Sequence, residues 1–250
     1  MRKNYFLVTL PLLALPSCAP LQMSAQAGYA QVAIEGDFGY ATGSTTPSVP
    51  QDVESGFGLG DDQGVPYGRV VADFGVPVIG VSGIFLQDDG TGTLQEDFGG
   101  ISSGAPVRSD LELWNALTSL AFEIEIGPVS ISPGLAADYI DLSLEVSDAV
   151  GAVVETVELS GPVPMGFLRA EVEIWKLAGV VEGGYSKVDI DDAEGSVLDL
   201  TGLIELRLNR VNAFVGYRIF DFDGDGVIDE DSFDADIKIA GFIIGGGFQF

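Results

Sequence analysis

The sequence predicts an all-β chain: an antiparallel up-and-down transmembrane β-barrel of about ten strands, closed by its C-terminal strand. Three observations carry this. Apolar residues alternate with polar ones in short runs along the chain. The mean hydropathy is positive, +0.31, although the net charge is −27. The last residue, Phe250, ends one of the alternating runs. A chain both apolar and strongly charged must segregate the two kinds of surface. A barrel does this residue by residue, with apolar side chains toward lipid and polar ones toward a lumen and external loops.

The first segment reads as a processing signal. Arg2 and Lys3 form a basic n-region, and Tyr5 to Leu15 an apolar h-region too short to span a bilayer as a helix. Residues 1–27 are taken as the signal peptide, ending at the A-x-A site Ala25-Gln26-Ala27, and residues 28–250 as the barrel. The A-x-A site lies far from the h-region. The alternative is cleavage before Cys18, because Leu15-Pro16-Ser17-Cys18 resembles a lipoprotein box with Cys18 as lipid acceptor. Cys18 is the single cysteine, so no intrachain disulfide forms. Loss of Arg2 and Lys3 deepens the net charge by two, to −29. That acidity argues against nucleic-acid binding, which needs a basic footprint.

The alternation defines strands in order. In 30–40, Ala30, Val32, Ile34, Phe38 and Tyr40 share one face, and Gln31, Ala33, Glu35 and Asp37 the other. In 66–74, Val70, Ala72 and Phe74 oppose Arg69 and Asp73. In 166–175, Leu168, Ala170, Val172 and Ile174 oppose Arg169, Glu171 and Glu173. In 198–209, Leu198, Leu200, Ile204, Leu206 and Leu208 oppose Asp199, Thr201, Glu205, Arg207 and Asn209. In 211–219, Val211, Ala213, Val215, Tyr217 and Ile219 oppose Asn212 and Arg218.

Segments 78–87, 128–146 and 178–190 are weaker strands. Segment 110–125 carries two patterns. Leu113, Leu117, Leu120 and Ile124 have helical spacing, with Ser109 and Glu112 as a capping box. The strand reading places Trp114, Ala116, Thr118, Leu120, Phe122 and Ile124 on one face, and it keeps the strand number even. Strand is the preferred reading. Short turns fall near 75–78, 125–128, 176–178 and 209–211; long acidic or glycine-rich connections fall at 43–64, 88–109, 147–161, 191–197 and 221–234. Such alternation is the outer-membrane pattern, and it places both termini in the periplasm.

The final strand spans Ala235 to Phe250. Ala240, Phe242, Ile244, Phe248 and Phe250 share one face. Phe242, Ile244, Phe248 and the terminal Phe250 resemble the signal that the barrel-assembly machinery reads, which makes that machinery a partner in biogenesis. From Leu59 onward the order of segments resembles an uncharacterised family of small proteobacterial outer-membrane β-barrel proteins. The stretches that carry it are "GLGDDQGVPYGRVVADFGVPV", "SDLELWNALTSLAFEIEIGPVSISPGLAADYIDLSLEVSD", "VPMGFLRAEVEI" and "FVGYRIFDFDGDG…DADIKIAGFIIGGGFQF". The resemblance implies a barrel and no established activity. The lipoprotein box and the "DFDGDGVIDED" segment depart from it.

Three places invite chemistry. The chain has no histidine, which removes Ser-His-Asp and Cys-His catalysis and imidazole metal ligation. Outer-membrane phospholipases, acyltransferases and omptin-type proteases are understood to use histidine, so the expectation is that the protein is not an enzyme. The second place is the lumen. Arg69, Arg169, Arg207 and Arg218 are expected on the inner face with Glu35, Asp37, Asp73, Glu171, Glu173 and Glu205. Arginine forks bridging carboxylates would fill and rigidify the barrel, which is preferred over a narrow polar pore.

The third place is the acidic segment 221–231. Asp221, Asp223, Asp225, the carbonyl of Val227 and Asp229 match the first nine positions of a calcium loop, with Gly226 at the turn. Ser232 stands at the twelfth position, where a bidentate Glu belongs. Ca²⁺ is the cofactor this segment would take; no other is required.

The functional expectation is an integral barrel of the bacterial outer membrane, structural or interaction in type, with acidic extracellular loops and outer-membrane lipid around it. The sequence names no external ligand. The alternatives are a narrow channel for ions or small solutes, and a soluble or lipid-anchored lipocalin-like binding protein.

Overall fold

The computed structural model describes residues 21–43, 49–60, 62–190, 193–228 and 231–250. Its elements are β1 (Gln22–Ala41), β2 (Gln51–Asp52), α1 (Val53–Phe57), β3 (Gln63–Asp73), β4 (Pro77–Thr93), β5 (Pro106–Phe122), β6 (Ile124–Ile126), β7 (Val129–Asp148), β8 (Val154–Ile174), β9 (Leu177–Ile190), β10 (Ala193–Leu208), β11 (Val211–Ile228) and β12 (Asp231–Gln249). Ten long strands pair antiparallel with their neighbours in sequence order. The β1–β12 pairing, from Ser24↔Gln249 to Ala41↔Ser232, closes the ring. Two short strands are additions: β2 pairs antiparallel with β1 at Asp37 and Phe38, and β6 continues β5 against β7. The expected barrel, closed by its C-terminal strand, is the observed fold.

Segment 110–125 is strand through Phe122, and the helical spacing of its leucines is incidental. Its leucines at 111, 113 and 117 face inward while Trp114, Leu120 and Phe122 face out, which only a period of two allows. The turns at one end are short, as expected. Trp175 and Asn209, in the two-residue turns after β8 and β10, take left-handed φ of 61° and 56°. That backbone matches the twist of the flanking strands.

The other end corrects the sequence reading. The acidic connections are mostly strand: β4 runs to Thr93, β8 starts at Val154, β11 continues to Ile228 and β12 starts at Asp231. The 43–64 connection holds β2 and α1. Polarity alone had marked these stretches as loops, whereas alternate Gly or apolar residues keep an inward face through them. β1 also starts early, at Gln22, inside the segment assigned to the signal. Cys18 lies outside the described residues.

The wall changes character along its height. Near the short turns its outer face is apolar, with Val70, Ile79, Leu120, Leu135, Leu168, Ile204, Val215 and Ile244 exposed. On β5 this stretch runs from Trp114 to Phe122, and the three-residue β6 carries it on to Ile126; a tilted membrane strand needs about 9–11 residues. Aromatic rings mark both borders. Phe85 and Trp114 lie 4.7 Å apart at centroid and Tyr217 and Phe242 5.0 Å apart, while Phe122, Phe248, Phe250 and the almost fully exposed Trp175 stand near the short turns. Two aromatic girdles around an apolar band are the surface of a membrane barrel.

Above the band the pattern inverts. Outward positions become Glu35 and Asp37 on β1, Asp89 on β4, Glu112 on β5, Asp223 and Asp225 on β11, and Asp236 on β12, all exposed. Inward positions become apolar: Ile34, Phe38, Leu86, Leu113, Leu142, Val146, Phe220 and Ile237 are buried in one core. The barrel thus extends past the apolar band as a water-facing β-barrel with an ordinary hydrophobic interior.

Candidate functional site

Within the apolar band the interior is charged. Arg69 reaches across from β3 to Glu182 on β9 in a two-pronged pair, Nε–Oε1 2.7 Å and Nη2–Oε2 2.8 Å. Its Nη1 donates to Gln26 Oε1 at 2.9 Å and lies 3.4 Å from Glu205 Oε1. Gln26 in turn donates to Glu205 at 2.9 Å. Arg69, Glu182, Glu205 and Gln26 are all buried.

Two further clusters flank this one. Toward the short turns, Arg207 binds Glu205 with both Nε (2.9 Å) and Nη2 (2.8 Å), and its Nη1 meets Glu171 at 2.5 Å and Glu173 at 2.7 Å. Arg169 pairs with Glu171 and lies 3.5 Å from Glu182. Deeper inside, Arg218 pairs with Asp199 and donates to Asn115, whose amide donates to Asp138 at 2.8 Å. A guanidinium fork matches a carboxylate geometrically, so each arginine satisfies two or more acceptors that would otherwise be desolvated alone.

The four arginines stand where the sequence placed them, and Glu171, Glu173 and Glu205 join them. Three expectations change. Asp73 faces the interior but accepts the Gly75 N–H at 2.7 Å, holding the turn after β3 rather than an arginine. Glu35 and Asp37 face outward, because β1 is already above the apolar band there. The network also takes in Glu182, Asp199, Asp138, Asn115 and Gln26, which had not been assigned to it. For Asp199 the signal was present, since it alternates in phase with Glu205 and Arg207.

The interior is closed in depth. A vestibule of about 560 Å³ opens at the short-turn end, lined by Asp73, Glu123, Arg169, Glu173, Arg207 and the C-terminal Phe250. The arginine clusters form its inner wall. Beyond them the apolar core fills the barrel, capped by α1 and the 94–105 loop. Phe57 and Phe98 meet edge to face at 5.2 Å between centroids, and Phe98 also packs on Phe38 at 6.0 Å. Asp52 caps α1 by accepting the Ser55 N–H at 2.7 Å. Gly58 ends it at φ 74°, and a side chain there would meet the Thr91 carbonyl at 2.3 Å, so only glycine lets α1 lie against β4.

The segment read as a calcium loop is instead the extended β11–β12 hairpin. Asp221, Asp223 and Asp225 pair across from Lys238, Asp236 and Asp234. Alternate positions on a strand stand about 6.8 Å apart, so these three carboxylates do not wrap around one ion. Val227 belongs to the same strand, and Asp229 lies outside the described residues. Among the described residues, no group of three or more carboxylates is arranged to hold a metal ion. What they form is an acidic outer surface, which Glu35, Asp37 and Glu194 extend.

No protein-family model and no curated protein sequence matches the chain. Solved structures do. The outer membrane protease OmpT from Escherichia coli superposes at a TM-score of 0.55 with 9% identity, covering 92% of this chain and 96% of that one. Ail, the attachment invasion locus protein of Yersinia pestis, gives 0.36 with 14% identity over 92% and 98% of the two chains. The Pseudomonas putida toluene transporter TodX gives 0.31 with 8% identity over 92% and 90%. With OmpT the chain shares a fold. Together with the apolar band and its girdles, that fold defines the class: an integral outer-membrane β-barrel.

Proposed function

We propose that this barrel serves a structural or interaction role, presenting an acidic outer surface above the membrane, and conducts nothing. The observation that carries this reading is the closed interior. Arg69 reaches across the lumen to Glu182 and Arg218 across it to Asn115, Arg169 and Arg207 pair with carboxylates on their own and nearby strands, and the core around Phe38, Phe57 and Phe98 fills the space beyond. Both termini lie in the periplasm in this reading, because they share the end with the short turns. The water-facing hairpins then point outside the cell with their Asp and Glu side chains. The barrel works without catalysis and without a resident cofactor, and it reaches the membrane through the barrel-assembly machinery. Planar-bilayer recording on purified protein tests it. No unit conductance is expected; regular single-channel steps would overturn the closed-lumen reading in favour of a narrow channel.

A further inference from the structure

Gln22 to Ala27 form the first third of β1. On one side they pair with β3, from Gln22↔Asp73 to Ala27↔Gly68. On the other they pair with β12, from Ser24↔Gln249 to Ala27↔Gly246. Beyond that ladder, the Met23 N–H donates to the Phe250 carbonyl at 3.1 Å and the Phe250 N–H returns to the Met23 carbonyl at 2.9 Å. Outward, Met23, Ala25 and Ala27 continue the apolar band; inward, buried Gln26 bridges Arg69 and Glu205, each contact 2.9 Å.

We propose that the leader is removed upstream of Gln22, and that Ala25-Gln26-Ala27 is spared as a processing site because it is barrel wall. Cleavage after Ala27 would strip β3 over Gly68–Asp73 and β12 over Gly246–Gln249 of their partner. Two facing strand edges would then stand open inside the apolar band. Hydrocarbon offers no water to satisfy those backbone groups, which is why membrane barrels close completely. Arg69 and Glu205 would also lose the amide that bridges them in the desolvated interior. The apolar leader run ends at Leu15, so the cut falls between Leu15 and Gln22.

Intact-mass and N-terminal peptide measurement on protein purified from cell envelopes reads the mature start directly. A first residue from Pro16 to Gln22, with or without added acyl mass on Cys18, is the expected result; a first residue of Gly28 overturns the proposal. An Ala27→Leu variant provides a second reading. It places a large residue at the last position of the A-x-A site, where a small one is needed, yet keeps an apolar side chain toward lipid. The variant is expected to mature to the parent's start with the parent's yield. Accumulation of uncleaved precursor would overturn the proposal.

Discussion

Arg69 and Glu182 face each other across the barrel interior in a two-pronged ion pair, with N···O distances of 2.7 and 2.8 Å, although 113 residues separate them in sequence. Both are buried, so neither charge has water to fall back on. Removing one partner strands the other in a low-dielectric interior, at a cost of about 3–5 kcal/mol. Glu182→Leu is therefore expected to lower unfolding stability in detergent by that order. The double variant Arg69→Met/Glu182→Leu should recover much of the loss, because no charge is then left unpaired. Urea titration of the three proteins checks this, and equal losses in single and double variants would count against the pair.

The inversion of the wall gives a second prediction. Ile204 faces out within the apolar band, whereas Ala33 faces out above it, beside Glu35. Ile204→Arg puts a cation in lipid and should cost about 2–4 kcal/mol near the bilayer midplane. Ala33→Arg puts the same cation in water near acids and should fall within about 0.5 kcal/mol of the parent. Folding into vesicles, followed by urea titration, compares them.

The acidic hairpin should respond to pH. Partial burial, then the neighbouring carboxylates of Asp223 with Asp225 or Asp221, raise the pKa of Asp234 and Asp236. A carboxyl whose folded pKa is raised favours the folded state below its unfolded pKa of about 3.9, and that contribution is lost as pH rises through the folded pKa. Asp231 acts in the opposite sense. The Gly43 N–H and then the Tyr40 hydroxyl hold its carboxylate below the usual range, so its contribution is lost as pH falls. Burial, then Asp231, push Tyr40 up to about 12. Asp236→Asn isolates the first effect. It should stabilise the protein at pH 7, by under about 1 kcal/mol given its exposure, and the gain should vanish near pH 3.

The C-terminal strand gives a fourth prediction. Phe242, Ile244, Phe248 and Phe250 all face outward, and Phe250 closes the ladder onto Met23. Deleting Phe250 is expected to slow assembly and leave unfolded chain in the periplasm. Pulse-chase analysis of folded and unfolded forms measures it; assembly at the parent's rate would make the terminal aromatic incidental.

Much of this was legible in the alternation. The faces of 198–209, 211–219 and 235–250 follow directly from a period of two, and so do the inward arginines. What alternation does not say is which face looks inward. In β1 Ile34 and Phe38 line the interior while Glu35 and Asp37 face out, because that part of the strand stands in water. A strand that leaves the bilayer must exchange its two patterns, and a single alternating run carries no mark of where the exchange falls. The acids at 35 and 37 were the available clue. Glu182 was hidden differently: its strand, rich in Gly and Val, alternates weakly, and its partner is remote in sequence.

The most direct test of the central claim is heat-modifiability on SDS gels, run on protein from purified outer membranes. A closed, ion-paired barrel resists SDS without heating and should migrate as a compact band that shifts on boiling. It should also stay with the membrane in alkaline carbonate. A single band unaffected by boiling, from protein that carbonate releases, would contradict an integral barrel and favour a soluble or lipid-anchored β-protein.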